Sequence, residues 1–424
     1  MMKDQAGSIS QTVDAVGPQK EAGHTHGVQA PPSLFLVVVL AAVSAIPQLA
    51  IDIYLPGLPQ LARDLGAEAF AVQLTLTAFM VGLAAGQLVF GPLSDQFGRR
   101  GLMLWGSAVC ALATLLCALA PNVEILILLR FLQGASGAAG VVLARAVLAD
   151  RTSGRQAARL FSLMMAIQGI APVAAPLIGG VVVELMGWRG VFGVLAGAAV
   201  VLWLLTLLFV RESLPPDRRQ AGGLAALLRS TAEVLRNRRF LGYCLAVGFG
   251  LAAMFAYIAG SPFILQNLYG LSPGWYSVAF AVNAAGIAVL SAVSARLAGR
   301  VSPQALLGAG QLLMLGAAGS YLVLALLGAG SLAGTLVLFF VLVAGLGLIL
   351  GNATALAIEQ APRAAGTAAA VIGAAEFLIG AVVAPLVGLG GTGNEALLGL
   401  VMFASVLIAV ASALWAGAGR GKAA

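Results

Sequence analysis

Apolar residues run along this chain in long continuous stretches rather than in alternation with polar ones. Divided at its clusters of charge and turn residues, the sequence holds twelve such runs, near 33–55, 70–93, 101–120, 124–146, 159–183, 189–209, 240–264, 274–297, 303–327, 331–355, 366–389 and 396–416. A helix needs about 20 apolar residues to cross the hydrocarbon core of a bilayer. A membrane β-barrel would alternate apolar and polar positions along every strand, which these runs do not. The pattern predicts an all-α membrane protein with twelve transmembrane helices.

Composition agrees and closes off other classes. Hydrophobic residues make up 60% of the 424 and charged residues 9%, where a soluble domain carries about 25% charged residues. The mean hydropathy is +1.00. So few charges cannot cover a water-facing globule, which excludes a soluble enzyme, a nucleic-acid binder and a secreted disulfide scaffold. Cys110, Cys117 and Cys244 fall inside apolar runs without metal-ligand spacing and read as small core residues. His24 and His26 have no further ligand near them, so no metal site is expected. Residues 1–32 are polar, have no apolar core before Pro31-Pro32, do not look like a signal peptide, and read as a disordered cytoplasmic tail. A second short tail covers 418–424.

Placing the N-terminal tail inside puts 20 of the 23 Lys and Arg residues on the inner side. Arg63 and Arg189 fall outside, and Arg130 lies within a run. That bias sets both termini in the cytoplasm. The charge-rich inner loop 211–239 divides the chain into halves of six runs, 33–210 and 240–417. The halves look related. At an offset of 201, Ala78, Phe79, Val81, Ala84, Gly98 and Arg99 meet Ala279, Phe280, Val282, Ala285, Gly299 and Arg300; at 209, Ala175-Pro176-Leu177 and Gly179 meet Ala384-Pro385-Leu386 and Gly388. A duplicated 6+6 membrane protein places its site near the midplane between repeats and works by rocking one against the other.

Between the second and third runs stands Gly91-Pro-Leu-Ser-Asp95-Gln-Phe-Gly98-Arg99-Arg100. Its glycines allow a sharp turn at the membrane surface, and Asp95 can cap a helix or pair with a basic residue. The motif reads as a conformational latch whose ion pairs form and break with the transport cycle; a plain positive-inside turn is the simpler alternative. This loop resembles the signature of the major facilitator superfamily, with Gln96 where a basic residue is common. Further stretches resemble the Bcr/CflA group of drug exporters: Asp52-Ile-Tyr54-Leu-Pro56-Gly-Leu-Pro59, Leu129-Arg130-Phe-Leu-Gln133-Gly134, Gly187-Trp188-Arg189, and Ser261-Pro262-Phe263 with Tyr269-Gly-Leu-Ser-Pro273. The resemblance covers about residues 40–390 and implies the twelve-helix fold and drug/proton exchange, with substrates like chloramphenicol or bicyclomycin.

An Arg deep in a membrane helix costs about 2.5–3.5 kcal/mol on insertion scales, so Arg130 is expected to face a polar interior with a partner. Asp52 is the acidic residue deep in the first run, and the opposite directions of runs one and four put both in the outer half of the bilayer. A carboxylate there, with burial opposing its charge and a cation favouring it, can take up a proton on one side and release it on the other. The resemblance links the Arg to proton coupling and the acid to proton or substrate binding. A structural ion pair between the two is the alternative. Many related exporters carry another acid earlier in the first helix, where Ser44 and Gln48 stand here; that favours neutral substrates. Glu376, mid-way along the eleventh run, is a second protonation site, a substrate contact, or a hydrogen-bonded structural carboxyl.

Gly169-Ile-Ala171-Pro172-Val-Ala-Ala-Pro176-Leu-Ile-Gly179-Gly180 resembles the antiporter motif of drug/proton exporters, with Ala171 where the motif has its central Gly. Prolines bend a helix and glycines admit a close neighbour, so ordinary small-residue packing is the alternative. Arg145, at the inner end of the fourth run, is a latch partner for Asp95. Tyr54, Gln73, Gln133, Gln168, Tyr257, Phe263, Gln266 and Asn283 are candidate cavity liners. No phosphate loop occurs, so the proton gradient, and no cofactor, is the expected energy source. The reading is a monomeric proton-coupled exporter of small compounds, not an enzyme; a proton-coupled exporter or importer of an endogenous metabolite is the alternative.

Overall fold

The computed structural model describes residues 32–152, 154–216, 219, 231–362 and 365–418. Apart from Pro32 and Ala418, the expected tails lie outside the described residues. So do much of the 211–239 loop, with its Arg218 and Arg229, and Arg363 further on.

The described residues form twelve membrane-length helices and no strand: α1 (Leu34–Asp52), α2 (Ala69–Phe97), α3 (Arg99–Ala118), α4 (Val123–Arg151), α5 (154–186), α6 (188–209), α7 (Arg238–Pro262), α8 (Pro273–Leu297), α9 (Pro303–Leu326), α10 (Leu332–Glu359), α11 (Ala365–Val383) and α12 (Glu395–Gly417). Ser or Asn side chains at 33, 122, 272, 302, 331 and 394 accept first-turn N–H groups of their helices, which tells each chain segment where to enter the bilayer. Helices α5 and α6 are continuous over 56 residues, Gly154–Phe209. Such a run measures roughly 84 Å at 1.5 Å per residue, far more than a bilayer core of about 30 Å. A φ of +71° at Gly187 breaks it in two, so eleven continuous apolar helices supply twelve crossings.

The sequence repeat has a structural counterpart. Gly98 and Gly299, paired at the offset of 201, take φ values of +95° and +84° and turn α2 into α3 and α8 into α9. Glycine alone adopts that backbone without strain.

The two sets of six helices meet chiefly through α2 against α11 and α5 against α8. Among the described residues, four hydrogen bonds cross between them: Gln73 Nε2 donates to the Ala259 carbonyl at 3.0 Å, Thr77 Oγ1 to the Ala381 carbonyl at 3.0 Å, Gln266 Nε2 to the Pro56 carbonyl at 3.0 Å, and the Gly274 N–H to Glu184 Oε1 at 2.9 Å. All lie toward the end of the bundle where α1 leads to α2 and α7 to α8. At the opposite, basic end, the bonds made by Arg99, Arg100, Arg151, Asn237 and Arg238 stay inside one set of six.

Candidate functional site

Helix α1 ends at Asp52, which leaves carbonyls of its last turn without helical partners. Arg130, in the third turn of α4, takes one of them: its Nη1 donates to the Ala50 carbonyl at 3.1 Å and to Gln133 Oε1 at 2.7 Å. Gln133, one turn on along α4, is anchored in turn by its Nε2 donating to Thr114 Oγ1 of α3 at 2.8 Å. The guanidinium lies 4.4 Å from the Tyr54 ring centroid, 4.3 Å from Phe79 and 5.7 Å from Phe192. A desolvated cation over an aromatic face gains about 2 kcal/mol or more, so three rings, a carbonyl and an amide together make a fully buried Arg tolerable. Its exposure is 0%. Its Nε and Nη2 are buried without a hydrogen-bond partner.

Asp52 is 6% exposed. No ion pair joins it to Arg130 among the described residues, so the locking pair weighed from the sequence is absent. Glu376 on α11 is half-buried and stands apart from the Arg130 group.

The candidate cavity liners divide by what holds them. Tyr54 belongs to the box around Arg130, its hydroxyl 3.2 Å from Thr75 Oγ1. Gln73 and Gln266 tie the halves together as described above, and Gln168 Nε2 donates to Ser44 Oγ at 2.6 Å. Tyr257 accepts from Asn283 Nδ2 at 2.9 Å and stacks on Phe280. Phe263 is buried where α7 ends in a widened turn, Phe263–Leu268. Only Gln266 of the eight is more than marginally exposed; the other seven are chiefly packing and bracing residues, because in an apolar interior a polar side chain must find a partner.

At the basic end, Asp95 pairs with Arg99 at 2.7 Å, and Arg99 also reaches Asp150 at 3.3 Å and the Ser94 hydroxyl. The expected pairing of Asp95 with Arg145 is not there: Arg145 is exposed on α4, and Arg99, only four residues from Asp95, takes the carboxylate. Arg100 donates to the carbonyls of Val210 and Leu207. Gly91 has ordinary contact distances, whereas Gly98 supplies the turn. Glu212, not singled out in the sequence, organises this end. Its carboxylate accepts the backbone N–H groups of Arg99 (2.9 Å), Arg100 (3.2 Å), Ser213 and Leu214, capping the first turn of α3. Burial pushes its carboxyl up, and those four donors more than reverse this, holding it below its ordinary value.

In the α5 stretch, a side chain at Gly179 would fall 1.9 Å from the Ile53 carbonyl, and one at Gly180 would fall 2.3 Å from Ser277 Oγ. These two glycines let α5 close on α1 and on α8 of the other half at once. Gly169 faces open space, and Pro172 and Pro176 lie within the helix. Phe79, Phe192 and Thr114 were also missed from the sequence; nothing marks them out among the many apolar and hydroxyl residues of the spans.

The sequence profile of the Major Facilitator Superfamily matches residues 39–385. A Bacillus subtilis (strain 168) protein named "Uncharacterized MFS-type transporter YdgK" is 37% identical over 377 residues, covering 88% of this chain and 93% of its own. A Haemophilus influenzae protein named "Bicyclomycin resistance protein homolog" is 31% identical over 386 residues, covering 89% and 95%. In fold, the chain is similar to a crystal structure of a bacterial homologue of the human lysosomal transporter Spinster, with a TM-score of 0.73, 18% identity and coverage of 90% and 95%.

Proposed function

The chain belongs to the Major Facilitator Superfamily, among relatives of the Bcr/CflA group, and we propose that this membrane transporter exports small, largely apolar drug-like compounds in exchange for protons. The compounds are of the chloramphenicol or bicyclomycin class, a reading supported by the bicyclomycin-resistance name of one relative. It works as a monomer in the bacterial inner membrane with both termini cytoplasmic. The basic end is then cytoplasmic, and the state described is held shut on the outer side by the four inter-half bonds. Export proceeds as the halves rock and the outer end parts.

The observation that carries the coupling is the buried Arg130, bonded two residues before Asp52 yet not paired with it, and retaining two donors without partners. Asp52 takes a proton when its surroundings open outward and gives it up when they open inward. The compound and the proton compete for Asp52. Each proton entering contributes about 2.3 kcal/mol per 100 mV of membrane potential, plus the pH difference, so export of a neutral compound accumulates it outside. Glu376 provides a second protonation or substrate contact. The group of Asp95, Arg99, Asp150 and Glu212 is a latch that steadies the cytoplasmic end during the motion.

Chloramphenicol accumulation in an efflux-deficient host, with and without a protonophore, tests this. Expressing cells should accumulate less than control cells, the difference should vanish with the protonophore, and Asp52→Asn should abolish it. Low accumulation that survives the protonophore, or an active Asp52→Asn, would sink the proton-coupled reading.

A further inference from the structure

The first turn of a helix presents N–H groups that no residue of that helix can satisfy. In α8 each has a visible fate. Pro273 has no N–H; the Trp275 N–H goes to the Ser272 hydroxyl at 3.3 Å; the Tyr276 N–H goes to the Ser272 carbonyl at 2.9 Å. The Gly274 N–H remains, and its acceptor comes from the other half of the molecule: Glu184 Oε1, at 2.9 Å, from the last turn of α5. A Cβ at residue 274 would lie 2.8 Å from that oxygen, so a larger residue there would displace the carboxylate. One turn further along each helix, Gly180 sits against Ser277, so the two helices run close together up to the carboxylate. A negative charge at a helix N-terminus also gains from the helix dipole.

We propose that Glu184 is a positioning residue of the transport cycle: a clasp that caps α8 from across the divide while the outer end is shut and releases it when that end opens. Three of the inter-half bonds join a neutral amide or hydroxyl to a backbone carbonyl. Glu184 brings a charged acceptor, at the exposed edge of the contact, where its charge strengthens the bond but solvent screens part of the gain. Loss of the clasp therefore shifts the balance toward the outward-open state. The inference rests on the alternating-access part of the function proposed above and not on the identity of the compound or the ion.

The test uses the full chain in proteoliposomes with Cys110, Cys117 and Cys244 replaced by alanine, and nitroxides on cysteines at Arg63 and Asn267, which border one hollow at the outer end from opposite halves. Distances between the labels are measured by pulsed electron resonance. The otherwise unaltered protein is expected to show a short and a long distance. In Glu184→Ala the ratio of long to short should rise roughly five-fold, the effect of losing a helix cap. Glu184→Gln, which keeps an acceptor oxygen without the charge, should fall between. Ser272→Ala, which removes only the cap internal to α8, should leave the ratio unchanged. An unchanged ratio in Glu184→Ala overturns the clasp, as does an equal rise in Ser272→Ala, because the effect would then be fraying of α8. A single distance in the unaltered protein, with or without chloramphenicol and a proton gradient, overturns alternating access itself and the clasp with it.

Discussion

Each half of this protein builds an aromatic cluster from the same three helices of its repeat. In the N-terminal half, Tyr54 follows α1, Phe79 is on α2 and Arg130 on α4; in the C-terminal half, Tyr257 is on α7, Phe280 on α8 and Phe339 on α10. Phe79 and Phe280 are related by the offset of 201, and Arg130 and Phe339 by the offset of 209. The difference centres on the position of Arg130. Where Phe339 packs edge-on against Tyr257 with ring centroids 5.1 Å apart, and against Tyr321 at 5.0 Å, Arg130 puts a cation between two rings and hydrogen-bonds a freed carbonyl. A duplicated scaffold thus carries a closed apolar cluster on one side and a charged one on the other. Because a buried charge needs the carbonyl of Ala50, Gln133 and Thr114 as well as the rings, the specialisation involves several residues and not a single exchange.

The strongest way to break the comparison is to erase it. Arg130→Phe makes the N-terminal cluster like its counterpart. The protein should still reach the membrane and unfold cooperatively, since rings fill the space, but chloramphenicol accumulation should equal that of cells without the protein. Export by this variant would show that the cation is structural only. Next in size, Phe339→Ala opens a cavity in the C-terminal cluster and should lower stability by about 3–5 kcal/mol, read as a drop in melting temperature in detergent. Export per folded molecule should survive, provided the charged cluster alone carries coupling. The smallest effect is away from both clusters. Glu212→Gln should destabilise the basic end by about 0.3–1 kcal/mol, as for a partly exposed charge at a helix start. Because the carboxyl of Glu212 is held below its ordinary value, its contribution is complete above that ordinary value and disappears as pH falls through the lowered one. The gap in thermal stability between Glu212→Gln and the parent should therefore close in acid; a gap that persists there would place the effect in packing.

Much of this was open to reading in the chain. The twelve runs matched twelve crossings because a bilayer demands about 20 apolar residues whatever they pack against. That Arg130 needs an unusual setting also followed from its position alone. Its partners did not follow. The acid Asp52 was the obvious choice, and the structure instead supplied ring faces from three helices and a backbone carbonyl, none of which has a signature in a sequence with 18 phenylalanines. Arg145 and Glu212 teach the same lesson at the basic end. Charge counting suggested Arg145 for Asp95, whereas the nearer Arg99 takes it, and Glu212 reaches α3 from a loop more than a hundred residues away.

Hydrophobic length and glycine placement are local properties, and they were enough to specify the helices and the turn between α2 and α3. Which carboxylate faces which N–H is a matter of a few ångströms between segments distant in the chain. Glu184 against Gly274 and Arg130 against Ala50 depend on how the helices pack, since burial makes every polar group seek a partner without restricting from which helix that partner comes.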